Sequence, residues 1–238
     1  FYFGPYELNV LPRPVLVNFN ISVDYPLYTG LTDEVLKNTG DITVPQGTRL
    51  GWTIATNNTD AVKMRFNDSL ITLAKTGNSF SLGDYRALAN ANYTILPENS
   101  YLSNTDSVLY RIRVRPDEYP TIRVEEEVDS LSAKSLFFSG DVQDDYGFRS
   151  LSFVYSFRKS EDPTKELNKV YRVPMATPSG VGDGFYYHWS LDKLNILPGD
   201  EISYYFEVWD NDAVNGSKAA RSLNRVYAAP SVDEVRDE

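Results

Sequence analysis

The chain has 238 residues, of which 42% are hydrophobic and 13% aromatic, so it can fill two cores of about 100 residues each. Its formal charge of -10 argues against binding to nucleic acid or to an anionic lipid surface, and it has no cysteine for a disulfide or a thiolate. No stretch approaches the roughly 20 apolar residues of a membrane helix, so we expect no direct membrane insertion and place any anchor or signal outside this sequence.

The first half of the chain predicts a series of short strands. Over residues 15–25 the apolar side chains of Val15, Val17, Phe19, Ile21 and Val23 alternate with their neighbours, which is the period of a half-buried strand. Residues 42–54 predict an edge strand, a turn and a core strand that carries a tryptophan. Further strands are predicted at 62–66 and around positions 71, 80, 93 and 110.

A proline-bounded junction at residues 115–120 separates this half from a second series of strands. The second series is predicted at 122–124, 136–139, 151–157, 171–173, 185–191 and 202–208, with a charged hairpin at 159–168. A helical turn is expected only near residues 192–194. The chain is therefore predicted to be all-β.

A strand that alternates and then stops at a proline recurs along the chain. It lies at residues 6–12 and 110–116, with a weaker copy at 222–230, and the spacing is close to the roughly 100 residues of an immunoglobulin-like sandwich. We therefore predict tandem immunoglobulin-like or fibronectin-like β-sandwiches. Residues 1–14 would be the last strand of a preceding module, 15–117 and 118–231 the two sandwiches, and 232–238 an acidic tail or the start of the next segment.

Several segments resemble one large family of Bacteroidota proteins that is defined by a domain of unknown function. They are Tyr25-Pro-Leu-Tyr-Thr-Gly30, Asn38-Thr-Gly-Asp-Ile-Thr-Val-Pro-Gln-Gly-Thr48, Asp144-Asp-Tyr-Gly-Phe148 and Trp209-Asp-Asn-Asp-Ala-Val-Asn-Gly216. The resemblance implies tandem immunoglobulin-like modules in the periplasm, held by an inner-membrane anchor. It implies no activity. Some members carry the label "ATPase", but this sequence contains no P-loop motif that would support it.

Two aspartate-rich loops are the strongest candidates for a metal site. Asp141, Asp144 and Asp145 follow one predicted core strand, and Asp210 and Asp212 follow another. Calcium takes six to eight oxygen ligands, so carboxylates that converge at one end of a sandwich predict a calcium site. The alternative is that these aspartates build ordinary turns, since Asp and Asn side chains bond to nearby backbone.

An aromatic segment at residues 186–189 offers a second hypothesis, a face that stacks on a glycan. Strand alternation sends half of these rings inward, so the alternative is that they belong to the core. His188, the single histidine, is expected to be a packed strand residue and not a catalytic base. We therefore predict no enzymatic activity and no cofactor other than calcium.

Arg111, Arg113 and Arg115 fall on one side of a predicted strand. Such a basic stripe on an acidic protein predicts docking of an acidic partner, and the alternative is a solvated face paired with nearby Asp and Glu. The sequence as a whole favours a spacer or protein-binding scaffold in the cell envelope, whose partner is an unidentified envelope protein. A ligand-binding module for a glycan or an envelope protein, stiffened by calcium, is the second hypothesis.

Overall fold

The computed structural model describes residues 10–103, 107–128 and 135–231, which form two compact units that meet in sequence between Pro116 and Asp117. Each unit is a sandwich of two β-sheets, which confirms the predicted tandem of immunoglobulin-like or fibronectin-like modules. Within these ranges no helix has the length and apolar character needed to cross a membrane. Most of the strand predicted at 1–14, and the whole tail at 232–238, lie outside the described residues, and positions 10–14 carry no strand.

The first unit contains two five-stranded sheets, with the orders β2-β1-β4-β8-β7 and β3-β10-β9-β5-β6. Strand β3 pairs parallel with the last strand of the unit, while the other pairs are antiparallel. The strands are β1 (Val15–Asp24), β2 (Glu34–Lys37), β3 (Ile42–Pro45), β4 (Arg49–Asn57), β5 (Ala61–Phe66), β6 (Ser69–Thr72), β7 (Ala74–Thr76), β8 (Ser79–Arg86), β9 (Ala91–Glu98) and β10 (Leu109–Arg115).

Aromatic rings fill the core between these sheets. Trp52 is buried on β4 and makes an edge contact with Tyr93 of β9, with ring centroids 5.3 Å apart. The Tyr93 hydroxyl donates a hydrogen bond of 2.8 Å to the carbonyl of Gly40. A Cβ at Gly40 would come within 2.0 Å of the Tyr110 ring, so only glycine fits at this position.

The start of β1 departs from the predicted alternation. The prediction that Val15 and Val17 point inward was wrong, since both are about half exposed, at 45% and 52%. A β-bulge shifts the pairing of β1 with β4 between Leu16 and Asn18, and Leu16 packs against the core instead. An extra residue in one strand reverses the side of every residue before it.

The second unit contains a three-stranded sheet, β11-β12-β15, and a sheet with the order β14-β13-β16-β17, in which β18 also pairs with β16. A 3-10 helix at Leu191–Leu194 lies at the predicted helical turn, and another at Leu27–Thr29 in the first unit was not predicted. The strands are β11 (Thr121–Val128), β12 (Ser135–Gln143), β13 (Phe148–Lys159), β14 (Tyr171–Pro174), β15 (Gly182–Ser190), β16 (Glu201–Asp210), β17 (Ala219–Arg221) and β18 (Arg225–Ala228).

The core of the second unit is also aromatic, with Phe153 of β13 and Phe206 of β16 at its centre. Their ring centroids lie 5.1 Å apart. From β15, Tyr187 and Trp189 pack into this core, whereas Tyr186 points outward with 87% of its surface exposed. The predicted division of this segment into inward and outward rings is therefore observed.

Candidate functional site

The second aspartate loop closes around a lysine. Asp210 ends β16 and Asp212 follows it, and their Oδ2 atoms lie 2.9 Å and 3.0 Å from the Nζ of Lys218. Asp117, the first residue of the unit, forms a third ion pair with the same ammonium. The three carboxylates have no exposed side-chain surface, and Lys218 retains 15%.

The turn that returns Lys218 to these carboxylates is built by the aspartates themselves. Asp210 Oδ1 accepts a hydrogen bond of 2.7 Å from the backbone N–H of Lys218. Asp212 Oδ1 accepts from the backbone N–H groups of Val214 and Asn215, at 2.7 Å and 3.1 Å. Each aspartate thus uses one oxygen for the turn and the other for the ammonium, which fixes the loop.

Three carboxylates share one ammonium, so the charge of this Lys218 cluster does not balance. Burial alone would lower the pKa of Lys218, but its hydrogen bonds to Asp117, Asp210 and Asp212 raise it well above the usual range. Burial raises the pKa of Asp117 to about 7, and Lys218 only partly offsets that effect. Asp117 therefore holds a proton in part of the population near neutral pH.

Of the five residues predicted to bind calcium, Asp210 and Asp212 contact Lys218, Asp144 and Asp145 lie near this cluster, and Asp141 lies apart. Burial, and then the charges of Asp145 and Asp210, raise the pKa of Asp144. Asp144 Oδ2 accepts hydrogen bonds from the backbone of Tyr146 and Gly147, at 3.0 Å and 2.8 Å, as in an ordinary turn. Asp145 Oδ2 accepts from the backbone N–H of Glu118 at 3.4 Å. Asp141 lies on β12 opposite Arg123 of β11, on the exposed side of the sheet.

Calcium binding stays a prediction. Across residues 10–103, 107–128 and 135–231, no group of three or more Asp, Glu or His is placed so as to hold a metal ion. Sequence reasoning missed Asp117, which it assigned to the junction, and Lys218. The available signal was a lysine six positions after Asp212, within reach of a loop already rich in carboxylates.

A second buried carboxylate was also missed by sequence reasoning. Glu207 of β16 is 1% exposed, and its Oε1 accepts hydrogen bonds from Arg172 at 3.0 Å and from Trp209 Nε1 at 3.1 Å. Its Oε2 accepts from Arg221 Nε at 2.7 Å. Burial would raise the pKa of Glu207, but these donors lower it, so the group is a charged structural anchor on the outer side of its sheet.

The predicted arginine stripe is exposed and lies on β10. Arg111, Arg113 and Arg115 all point to solvent, while Ile112 between them is 1% exposed and packs in the core. No ion pair joins any of the three guanidinium groups to an Asp or Glu in the part of the chain that the structure describes. We call these three residues the arginine face.

A shallow cavity of about 230 Å³ lies beside the arginine face and adds amide donors to it. It is lined by Arg111, Arg113, Asn67 and Asn90, among others. The Oδ1 atoms of Asn67 and Asn90 accept from backbone N–H groups at 3.0 Å and 2.7 Å, which leaves the amide N–H₂ groups available to donate. This surface is therefore rich in hydrogen-bond donors and in positive charge.

A family model described as "Domain of unknown function (DUF4175)" matches residues 17–182 of the chain. No curated protein matches it.

The chain is also similar to several solved structures at low sequence identity. A chimeric titin Z1Z2 tandem covers 80% of this chain and 94% of its own at 13% identity, with a TM-score of 0.28. The fibronectin(III)-like modules of Clostridium thermocellum CbhA cover 89% and 93% at 13% identity, with a TM-score of 0.27. A DUF3823 family protein from Bacteroides ovatus covers 72% and 89% at 9% identity, with a TM-score of 0.30.

Proposed function

Because the chain belongs to the DUF4175 family, whose description assigns no activity, we propose a function from its surface: a non-enzymatic scaffold that docks an acidic protein partner through the arginine face. The observation that supports it is the presence of three exposed guanidinium groups in line on β10, without an ion pair in the described structure. Carboxylates of a partner would supply the missing counter-charges.

Electrostatic repulsion among the three arginines in the free protein favours a role of the arginine face in binding. Alternate residues of a strand lie about 7 Å apart, so Arg111, Arg113 and Arg115 repel one another. The chain has an excess of acidic residues, with 33 Asp and Glu against 23 Lys and Arg, yet none in the described ranges neutralises this row. An acidic segment along β10 would relieve the repulsion and use the amide donors of Asn67 and Asn90.

The buried carboxylates support a non-enzymatic scaffold, since they are used by the fold. Asp210 and Asp212 bond to Lys218, and Asp200 bonds to Lys165 at 2.6 Å. Side chains held in this way stiffen loops and do not face a substrate.

We place this scaffold in the periplasm, within a larger protein that is anchored in the inner membrane. That placement is supported by the sequence resemblance to envelope proteins. There the two modules would also act as a spacer, since the proline-bounded junction at residues 116–120 leaves few freely rotating residues between them.

The test is a crosslinked pull-down from the envelope of the source organism, with the tandem as bait. The parent tandem should capture one protein at fixed stoichiometry. Changing the three arginines of the arginine face to glutamate should abolish that capture. A charge-matched control makes the same change on the opposite sheet, at Lys37, Lys75 and Arg86, and should retain that partner.

Salt provides a second criterion. Capture by charge complementarity should weaken steadily as ionic strength rises. A partner lost equally in both triple variants, or one held without regard to salt, would contradict docking through the arginine face. Capture of no protein at fixed stoichiometry would leave the spacer role alone.

A further inference from the structure

We propose that the second module binds a neutral oligosaccharide across strand β15, with Tyr186 as the central stacking ring. This inference is independent of the arginine face, which lies on the other module. It is supported by an exposed aromatic row, by carboxylates on the neighbouring strand of the same sheet, and by two cavities that Tyr186 lines.

The aromatic row lies on the outer side of the sheet β11-β12-β15. Tyr186 is 87% exposed and Phe137 is 42% exposed. Phe137 pairs in register with His188 across the sheet, and their rings stack with centroids 4.5 Å apart and planes 14° from parallel. Tyr186, Phe137 and His188 thus expose three rings on the same side of this sheet.

A row of polar residues faces these rings across the sheet. Glu127 pairs in register with Phe137, and Glu125 pairs with Ser139, whose partner on the other side is Tyr186. With strands about 4.8 Å apart, the backbone of β11 lies about 5 Å from that of Phe137 on β12 and about 10 Å from that of Tyr186 and His188 on β15. Neither Glu125 nor Glu127 has an ion pair or a hydrogen-bond partner among the described residues, so both can accept bonds from a ligand.

Two cavities of comparable size adjoin this surface. One of about 460 Å³ is lined by Glu127, Phe137, Ser139 and His188, with Tyr186 and Tyr187. The other, of about 470 Å³, is lined mostly by apolar residues, with Thr177 and Asp183 among them, and by the same two tyrosines. Each has the volume of a small-ligand site, and Tyr186 lines both.

The chemistry of this surface fits a neutral sugar better than other ligands. A pyranose ring presents C–H groups to the negative face of an aromatic ring and hydroxyl donors to carboxylates. Nucleic acid and acidic glycans would be repelled by Glu125 and Glu127. A quaternary ammonium needs several ring faces that converge on one point, whereas the faces of Phe137 and His188 are stacked on each other.

The experiment uses the intact tandem and an array of neutral hexose and N-acetylhexosamine oligosaccharides, with oligogalacturonate and choline as anionic and cationic probes. We expect binding to neutral oligosaccharides. For the oligosaccharide that binds most tightly, calorimetry should show that Tyr186→Ala lowers the affinity at least tenfold. Tyr101→Ala, which removes a tyrosine that is 60% exposed on the first module, should bind as the parent does.

The melting midpoint checks that the variant is folded. Because Tyr186 is so exposed, truncating its side chain should leave that midpoint unchanged. The proposal is overturned if no neutral oligosaccharide binds, if binding survives Tyr186→Ala, or if only oligogalacturonate or choline binds. It is also overturned if Tyr186→Ala dissolves a dimer and affects nothing else, because the face would then be an interface between two copies. The triple glutamate variant of the arginine face should bind the sugar normally, which separates this test from that of the scaffold.

Discussion

Replacing Lys218 with methionine removes the cation from the Lys218 cluster while keeping a side chain of similar length. The three carboxylates are fully buried, so they cannot recover solvation without opening the loop. Removing one partner of a buried ion pair costs about 3–5 kcal/mol, against a typical total of about 5–15 kcal/mol for a domain. For a unit of about 120 residues this corresponds to a fall in melting temperature of about 10–20 °C.

Scanning calorimetry of the tandem at pH 8 is the assay, because the two units can unfold in separate transitions. Only the transition of the second unit should move, which makes the first an internal control. Lys193→Met, at an exposed lysine of the same unit, should change the free energy of unfolding by less than about 0.5 kcal/mol. If the free energy of unfolding of the second unit in Lys218→Met stays within about 1 kcal/mol of the parent value, the assignment of Lys218 as the counter-ion is refuted.

A second variant separates charge from packing. Adding Asp210→Asn and Asp212→Asn to Lys218→Met removes two of the three uncompensated carboxylates and leaves Asp117. Most of the lost stability should then return, since neutral amides avoid the desolvation of a buried charge. If the triple variant is as unstable as Lys218→Met alone, the loss comes from packing and not from charge.

Three further predictions concern pH, the second carboxylate and calcium. Because burial raises the pKa of Asp117 from 3.8 to about 7, the folded state binds an extra proton between about pH 4 and pH 7. Stability measured by urea unfolding should fall as pH rises through that window, and Asp117→Asn should flatten the slope; an unchanged slope contradicts the assignment. Glu207→Gln should lower the free energy of unfolding, measured with urea, by about 2 kcal/mol, because it weakens charge-assisted hydrogen bonds from two half-exposed arginines. The control Glu161→Gln, at an exposed glutamate, should leave the free energy of unfolding unchanged. Calcium should raise the melting midpoint of Lys218→Met more than that of the parent, and midpoints unmoved by calcium and by chelator in both proteins would discard the calcium prediction.

The sequence predicts the fold well where alternation is regular. On β15 the period of two predicted that half of the rings at 186–189 point inward, and Tyr187 and Trp189 do, since successive strand residues point to opposite sides. At Val15 and Val17 the same rule fails, because a bulge is set by pairing with another strand and leaves no local signature.

The sites were harder to predict than the strands. Exposure of Arg111, Arg113 and Arg115 follows from alternation. Their lack of an ion pair among the described residues depends on which side chains the neighbouring strands present. The aspartate loops were recognised as special, yet the identity of the cation depends on Lys218, which reaches them through a turn of the backbone. Asp117 joins from about 100 positions away, a contact that no local pattern encodes.

The parallel pairing of β3 with β10 affects how the first unit folds during synthesis. Ile42 lies in register with Ile112, about 70 residues later in the chain, and β10 is the strand that joins β3 to β9. Closing so long a loop is slow, and a topology of such distant contacts favours folding over milliseconds to seconds. Until residues 109–115 have emerged during synthesis, β9 is an open edge that can pair with another nascent chain, so truncation just before residue 109 should yield aggregates instead of a smaller folded unit.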